Sequence, residues 1–424
     1  MSLAAPSSER VFLRGLFDQA VHAVLPIHCV PKYLPAPPVG RTIVIGAGKA
    51  AGAMAAALET HWLGELSGLV VTRYGHRVPT ARIEVIEAAH PVPDAASQTA
   101  AKRMLALVRG LTADDLVICL MSGGASSLLS LPAEGLTLAD KQAVNRALLR
   151  CGATIAEMNC VRKHLSAIKG GRLAQACYPA RIETLVLSDI PGDDPALVGS
   201  GPTFPDASTC ADAMAVVARY GLQLDAHILA ALSRPGAETP KADEACFINH
   251  HPQLIASAQH ALESAAFHAR AQGWTVHIVS DAIEGEARDV ALMHAAMVRH
   301  VRSSSESFAP PCLILSGGET TVTLRGNGRG GRNSEFLLAL AIALDGMPGV
   351  HAIACDTDGI DGSEDNAGAF IDPTTLARAQ GAGLDPRVML AENDAVGFFE
   401  PLGDLLVTGP TLTNVNDFRA IAIY

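Results

Sequence analysis

The sequence predicts an α/β fold in two domains. The chain has 424 residues, more than one hydrophobic core commonly serves. Short apolar runs alternate with longer helical patterns in both halves, as in residues 42–45 before 53–58 and residues 312–315 before 336–344. The runs are continuous, which is how strands buried on both faces read. Between Ser233 and Ala245 the composition turns to Pro, Gly, Ala and charge. This stretch reads as the linker, giving domains 1–240 and 241–424.

The formal net charge is -11, which argues against a general nucleic-acid binder, since that needs a basic face. It leaves room for a local basic pocket. The 9 cysteines are scattered and include no C-x-x-C pair, so neither a disulfide framework nor a zinc site is expected. No apolar run approaches a membrane span, and the N-terminus lacks a signal-peptide core. A cytoplasmic protein is expected. Residues 11–24 read as an amphipathic helix, with Arg10, Arg14 and Asp18 on its polar side.

Residues 42–45 form a strand, followed by Gly46-Ala-Gly48-Lys49-Ala50-Ala51 and a helix. A strand, a glycine turn and a helix make a phosphate-facing element. The Walker A pattern fails, because Ala50 stands where Ser or Thr would hold Mg²⁺. The dinucleotide fingerprint fits Gly46, Gly48 and Ala51, but the second strand ends in Arg73 rather than an acid. Lys49 lies at a helix N-terminus, where the dipole disfavours a cation unless an anion compensates. A third strand over 83–88 leads to His90-Pro-Val-Pro-Asp94, with Asp94 as helix cap. The apolar strand 115–121 runs into Ser122-Gly123-Gly124-Ala125-Ser126, a second anion-type turn. Residues 145–176 read as basic and helical, interrupted at Gly170-Gly171; Arg162, Lys163 and Lys169 are placed near the cleft. A strand over 182–187 opens into Ser188-Asp189-Ile-Pro-Gly-Asp193-Asp194, whose acids could attract Mg²⁺ or cap helices.

In the second half, helices are expected over 254–271 and 285–301, strands over 274–279 and 312–315, and a serine-rich loop from Ser303. The stretch SGGETTVTLRGNGRGGRNSEF, residues 316–336, reads as a glycine-rich loop able to close over a ligand. Its Arg325, Arg332, Asn333 and Glu335 are candidate binding residues, and the helix after it points its N-terminus back at the loop. A strand over 351–355 ends in Asp356-Thr-Asp358-Gly-Ile-Asp361, half of a calcium-type loop and equally suited to Mg²⁺ and phosphate. A strand over 405–407 precedes a loop carrying Asn414 and Asn416.

These motifs, GAGKA, AHPVPD, VRKHLSAIKGGRLA, SDIPGDDP, GETTVT, GGRN-x-E, DTDGIDG and TNVND, together resemble the glycerate 2-kinase family. Members of that family are often labelled hydroxypyruvate reductases. The likeness runs from about residue 43 to the end. Ser334 replaces the family's usual Gln, and Ala125 and Ser127 depart from its SGGGSALL. The resemblance implies an N-terminal Rossmann-like three-layer domain, a C-terminal α/β domain of the MOFRL type and an active site in the cleft. It implies ATP-dependent phosphorylation of D-glycerate to 2-phosphoglycerate, with ATP and Mg²⁺.

On this reading Lys49, Arg332 and Asp189 are catalytic. Gly46, Gly48, Ser122, Gly123, Gly124, Ser126, Arg162, Lys163, Lys169, Arg325, Asn333, Glu335, Asn414 and Asn416 bind substrate or nucleotide. Asp193, Asp356, Asp358 and Asp361 are metal ligands. Expected partners are glycerate and ATP, with no nucleic acid and no membrane; a homodimer is left open. Two rivals stand beside it: an NADP-dependent hydroxypyruvate reductase, resting on the fingerprint and Arg73, and a sugar-phosphate sensor, resting on the Ser122 turn.

Overall fold

The computed structural model describes residues 7–234, 236–303 and 309–424, and the chain divides into two compact units. Among the described residues, one comprises 26–188 and 193–255; the other takes 7–25, 189–192 and 256–424. Neither is continuous in sequence, whereas the composition placed one boundary at 240.

The first unit is built on six strands: β1 (Thr42–Ala47), β2 (Ser67–Arg73), β3 (Ile83–Ala88), β4 (Leu116–Ser122), β5 (Arg181–Leu187) and β6 (His250–Ala256). Their order is β3-β2-β1-β4-β5-β6, with β1 to β5 parallel. The order reverses between β1 and β4. In such sheets the carboxyl ends at the reversal are where ligands bind. The register Ala47↔Met121 sets the GAGKA and SGGAS turns side by side at that place. β1 and β4 are buried along their whole length, as continuous apolar runs require.

The expected linker is part of this unit. Thr239 Oγ1 donates to Asp206 at 3.1 Å, and Lys241 Nζ donates to Asp206 O at 3.1 Å and to Ser208 O at 2.5 Å. Side-chain bonding to Asp206 anchors a stretch whose composition reads as linker. The expected helix from residue 254 starts at Ala258, because residues 250–256 are spent on β6.

The second unit carries β7 (Thr275–Glu286), β8 (Cys312–Thr321), β9 (Val350–Asp356), β10 (Gly368–Ile371), β11 (Leu405–Leu406) and β12 (Asp417–Ile423). They form a mixed sheet in the order β11-β10-β9-β12-β8-β7. Helices Ala287–Ser303 and Arg332–Leu344 bury Ala295, Val298, Phe336 and Leu340 in one core with Ile314, Ala352 and Ile421. The N-terminal helix Ser8–Ala23 packs on Ala258–Ala271, with Phe12 stacked on Trp274 at 4.8 Å, which is why the first residues belong here. Beyond Ser303, the expected serine loop lies outside the described residues over 304–308.

Two expectations fail in this unit. β8 continues through GGETT, so Gly317 and Gly318 are strand, not loop. Gly318 has φ 127°, and a Cβ there would clash with the backbone of Ile283 across a bulge in β7. The later glycines are docked. A Cβ on Gly326 or Gly328 would strike Glu392 or Asp394, Gly328 N donates to Glu392 O at 2.9 Å, and Val396 N to Arg329 O at 2.9 Å. Close packing, not mobility, requires these glycines. No helix among the described residues is long and apolar enough to cross a membrane.

Candidate active site

In the β1–β6 unit, the GAGKA turn is held by the neighbouring strands. Gly48 N donates to Val71 O at 3.0 Å, Lys49 N to Gly123 O at 2.8 Å, and Ala50 N to Ser122 Oγ at 3.0 Å. The amides that would cradle a phosphate are spent on protein acceptors. Gly46 is glycine because a Cβ would clash with Leu120 O, and Gly48, at φ 137°, because one would clash with Ser122. Gly46 and Gly48 are thus required by close packing, and the Gly48 amide, the Ser122 hydroxyl and the Gly123 carbonyl are engaged within the turn.

What the turn presents is the Lys49 side chain. A methyl group built on Gly124, at φ 79°, would lie 3.0 Å from the His90 ring and 3.3 Å from Lys49 Cγ. Three motifs thus converge on one spot. Behind it Lys169 Nζ donates to Ser126 O at 2.8 Å, Ser126 Oγ at 3.1 Å and Gly199 O at 3.0 Å, using all three of its hydrogens. Burial holds its pKa well below the usual lysine range. Lys169 braces the Ser126 turn from beneath. Arg162 Nε donates to Asn145 Oδ1 at 2.5 Å. Lys163 departs from expectation: its ammonium meets Asp206 at 3.3 Å, inside the former linker's network. Consecutive helical residues face about 100° apart, so Arg162 and Lys163 serve different surroundings.

In the β7–β12 unit, Arg332 opens its helix and bridges two acids. Nε donates to Asp417 at 2.6 Å and Nη2 to Asp356 at 2.8 Å. Asn333 Nδ2 donates to the same Asp417 oxygen at 2.8 Å. Asp417 also accepts from Thr320 and from the fully buried Arg419. Burial opposes its ionisation, but Arg332 and Arg419 hold its pKa below the usual carboxylate range.

Asp361 is not placed as a metal ligand. Its carboxylate accepts from Asn333 N at 2.9 Å, Ser334 N at 2.8 Å and Ser334 Oγ at 2.6 Å, capping the helix from across the chain. Burial nonetheless pushes its pKa up against these donors. Glu335 is likewise structural. It takes Arg288 Nη2 at 2.6 Å and Asn393 Nδ2 at 2.8 Å, and Asn393 Oδ1 in turn accepts from Arg325 N at 2.7 Å. The Arg325 side chain is exposed and lies beyond the end of β8. Asp189 and the amide pair meet: Asn414 Nδ2 donates to Asp189 Oδ2 at 2.9 Å and Asn416 Nδ2 to Asp189 O. Asp356 Oδ1 accepts from Asp358 N at 2.9 Å, and Asp358 Oδ1 from Ile360 N at 2.9 Å. Asp193 belongs to the other unit and sits at φ 54°.

With this geometry in hand, similarity to known proteins can be weighed. A model described as a domain of unknown function (DUF4147) matches residues 12–233, and the MOFRL family model matches 312–417. A relative from Agrobacterium vitis, provisionally named hydroxypyruvate reductase, is 54% identical, covering 98% of this chain and 95% of its own. The D-glycerate 2-kinase of Thermotoga maritima is 39% identical over 97% of this chain and 98% of its own. A crystal structure of glycerate kinase from Thermotoga maritima superposes with a TM-score of 0.91 at 38% identity, covering 99% of this chain and 100% of that one. The chain belongs to the glycerate 2-kinase family. Its two-sheet α/β architecture is that family's.

Within this glycerate 2-kinase family member, sequence reasoning passed over three residues. Asp417 and Arg419 begin β12, in the run Asp-Phe-Arg-Ala-Ile-Ala-Ile. A charged pair inside an apolar strand was the available signal, since such charges are buried only when paired. Lys141, on helix Leu138–Arg150, gave none: one lysine on a polar helix reads as solvated.

Proposed function

We propose that this chain is an ATP-dependent glycerate 2-kinase, transferring the γ-phosphoryl group to the 2-hydroxyl of D-glycerate. The observation that carries it is end-to-end similarity to a protein named D-glycerate 2-kinase, at 39% identity. The spent amides of the GAGKA turn weigh against the reductase reading, because a dinucleotide pyrophosphate needs them open.

Phosphoryl transfer asks the protein for positioning and charge neutralisation more than for covalent chemistry. Lys49 is assigned to neutralise charge on the transferred group. Asp189, oriented by Asn414, is assigned to take the proton of the attacking hydroxyl. Arg332 holds the Asp356 and Asp417 carboxylates in place. Mg²⁺ bound with the nucleotide supplies further neutralisation of the phosphate oxygens. Asp356 and Asp358 would hold it: they lie two residues apart at the end of β9 and offer hard carboxylate oxygens.

The full-length protein with glycerate, Mg²⁺ and ATP should release ADP, and phosphorus NMR should identify 2-phosphoglycerate. NADPH oxidation with hydroxypyruvate, without ADP release, would sink the kinase. Two acidic variants separate metal from structure. Asp358→Asn should raise the Mg²⁺ concentration for half-maximal rate with little change in melting temperature. Asp361→Asn should keep the Mg²⁺ dependence but lose about 1–3 kcal/mol of stability, because an amide has one acceptor oxygen where Asp361 uses two. An unchanged Mg²⁺ requirement in Asp358→Asn removes that residue from the metal site.

A further inference from the structure

The β1–β6 unit contains a cavity of about 180 Å³ whose lining includes His90, Gly124, Ser126, Lys141, Arg162 and Lys169. Three of these six are basic side chains, and none of the described lining residues is acidic. Gly124 and His90 lie against Lys49, so the cavity adjoins the spot on which the motifs converge. Lys169 offers no further contact, because its hydrogens are engaged. Lys141 differs. Its Nζ is buried and has no hydrogen-bond partner in the structure. Burial first, and then the charge of Arg162, pull its pKa down to about 7.

A buried amine nitrogen without an acceptor is a costly arrangement for a fold to keep unless something else uses it. The Arg162 guanidinium also has more N–H groups than its contacts to Asn145 and Met158 consume. Cations of this kind, walled by a serine turn and without acid, suit a compact anion with several oxygens. A cation would leave Lys141 as it stands, and a neutral sugar would offer it acceptors but no charge.

We propose that this cavity is an oxyanion subsite anchored by Lys141, taking either a phosphate of the nucleotide or the carboxylate of the hydroxy acid. The choice of those two occupants rests on the kinase reading; the subsite itself does not.

Lys141→Met keeps most of the unbranched side chain and removes the charge. It should raise KM for ATP or for glycerate by about tenfold or more, the loss of one charge-assisted contact, with kcat changed far less. Melting temperature should hold or rise, since an unpartnered buried charge is gone. Lys141→Arg should recover part of the lost affinity. A raised KM for ATP, with weaker binding of inorganic triphosphate in calorimetry, assigns a phosphate; a raised KM for glycerate alone assigns the carboxylate. Both KM values unchanged, or a lower melting temperature with both unchanged, overturn the subsite and make Lys141 structural. Should the wild type show no kinase turnover, calorimetry with inorganic triphosphate and with glycerate still decides. Binding lost in Lys141→Met upholds the subsite, and equal binding, or none in the wild type, overturns it.

Discussion

Arg332→Ala is expected to destabilise the protein by about 3–5 kcal/mol, the cost of stripping one partner from a buried ion pair. Arg332 reaches Asp417 at 2.6 Å and Asp356 at 2.8 Å, and both acids are buried. Without the guanidinium, Asp356 loses that cation, and Asp417 keeps Arg419, Thr320 and Asn333. Activity should fall with it, because the Asp356 loop is no longer held. The sign of the pH dependence follows from Asp417, whose folded pKa is depressed. Its contribution is fully present above the unfolded pKa and is lost as pH falls through the folded one. The cost of Arg332→Ala should therefore be flat around neutral pH and shrink only below about pH 4. Arg332→Lys keeps the charge but not the fork joining the two acids, and should fall between the two proteins in urea midpoint and in kcat/KM. A wild-type midpoint in Arg332→Ala would show that the bridge carries no stability.

Lys49→Ala should lower kcat by a factor of about 10² or more, as loss of a charge partner in the transition state does. Melting temperature should change little. Two bonds that tie this position into the fold are made by its backbone, N to Gly123 O at 2.8 Å and O from Thr72 Oγ1 at 3.1 Å, and both survive the substitution. A variant that turns over normally would show that the Lys49 side chain plays no part in the reaction.

The strands and their motif-bearing ends could be read from the chain. Residues 43–45, 116–121 and 352–355 are apolar without interruption, and their short length beside glycine or aspartate turns favours buried strands over helices. Roles were harder to read. The glycines of 316–331 look alike as letters, yet Gly318 accommodates a bulge in β7 while Gly326 and Gly328 admit the 392–394 segment. The acids of 356–361 look alike too, yet Asp361 caps a helix while Asp356 faces Arg332.

By itself the sequence determined the α/β class, the family likeness, the strand ends that carry chemistry and the nomination of Lys49 and Arg332. Local pattern suffices for these, because burial periodicity and loop chemistry are properties of neighbouring residues. Only the tertiary structure decided that residues 7–25 and 189–192 belong with the second sheet, and that the GAGKA amides are consumed by Ser122, Gly123 and Val71. It alone showed that Glu335 and Asp361 are braces, and that Lys141 is buried without an acceptor. Each of these turns on which donor meets which acceptor across many residues of chain. Local composition carries no record of such pairings, because they are set when strands take their order in the sheet and helices dock upon it.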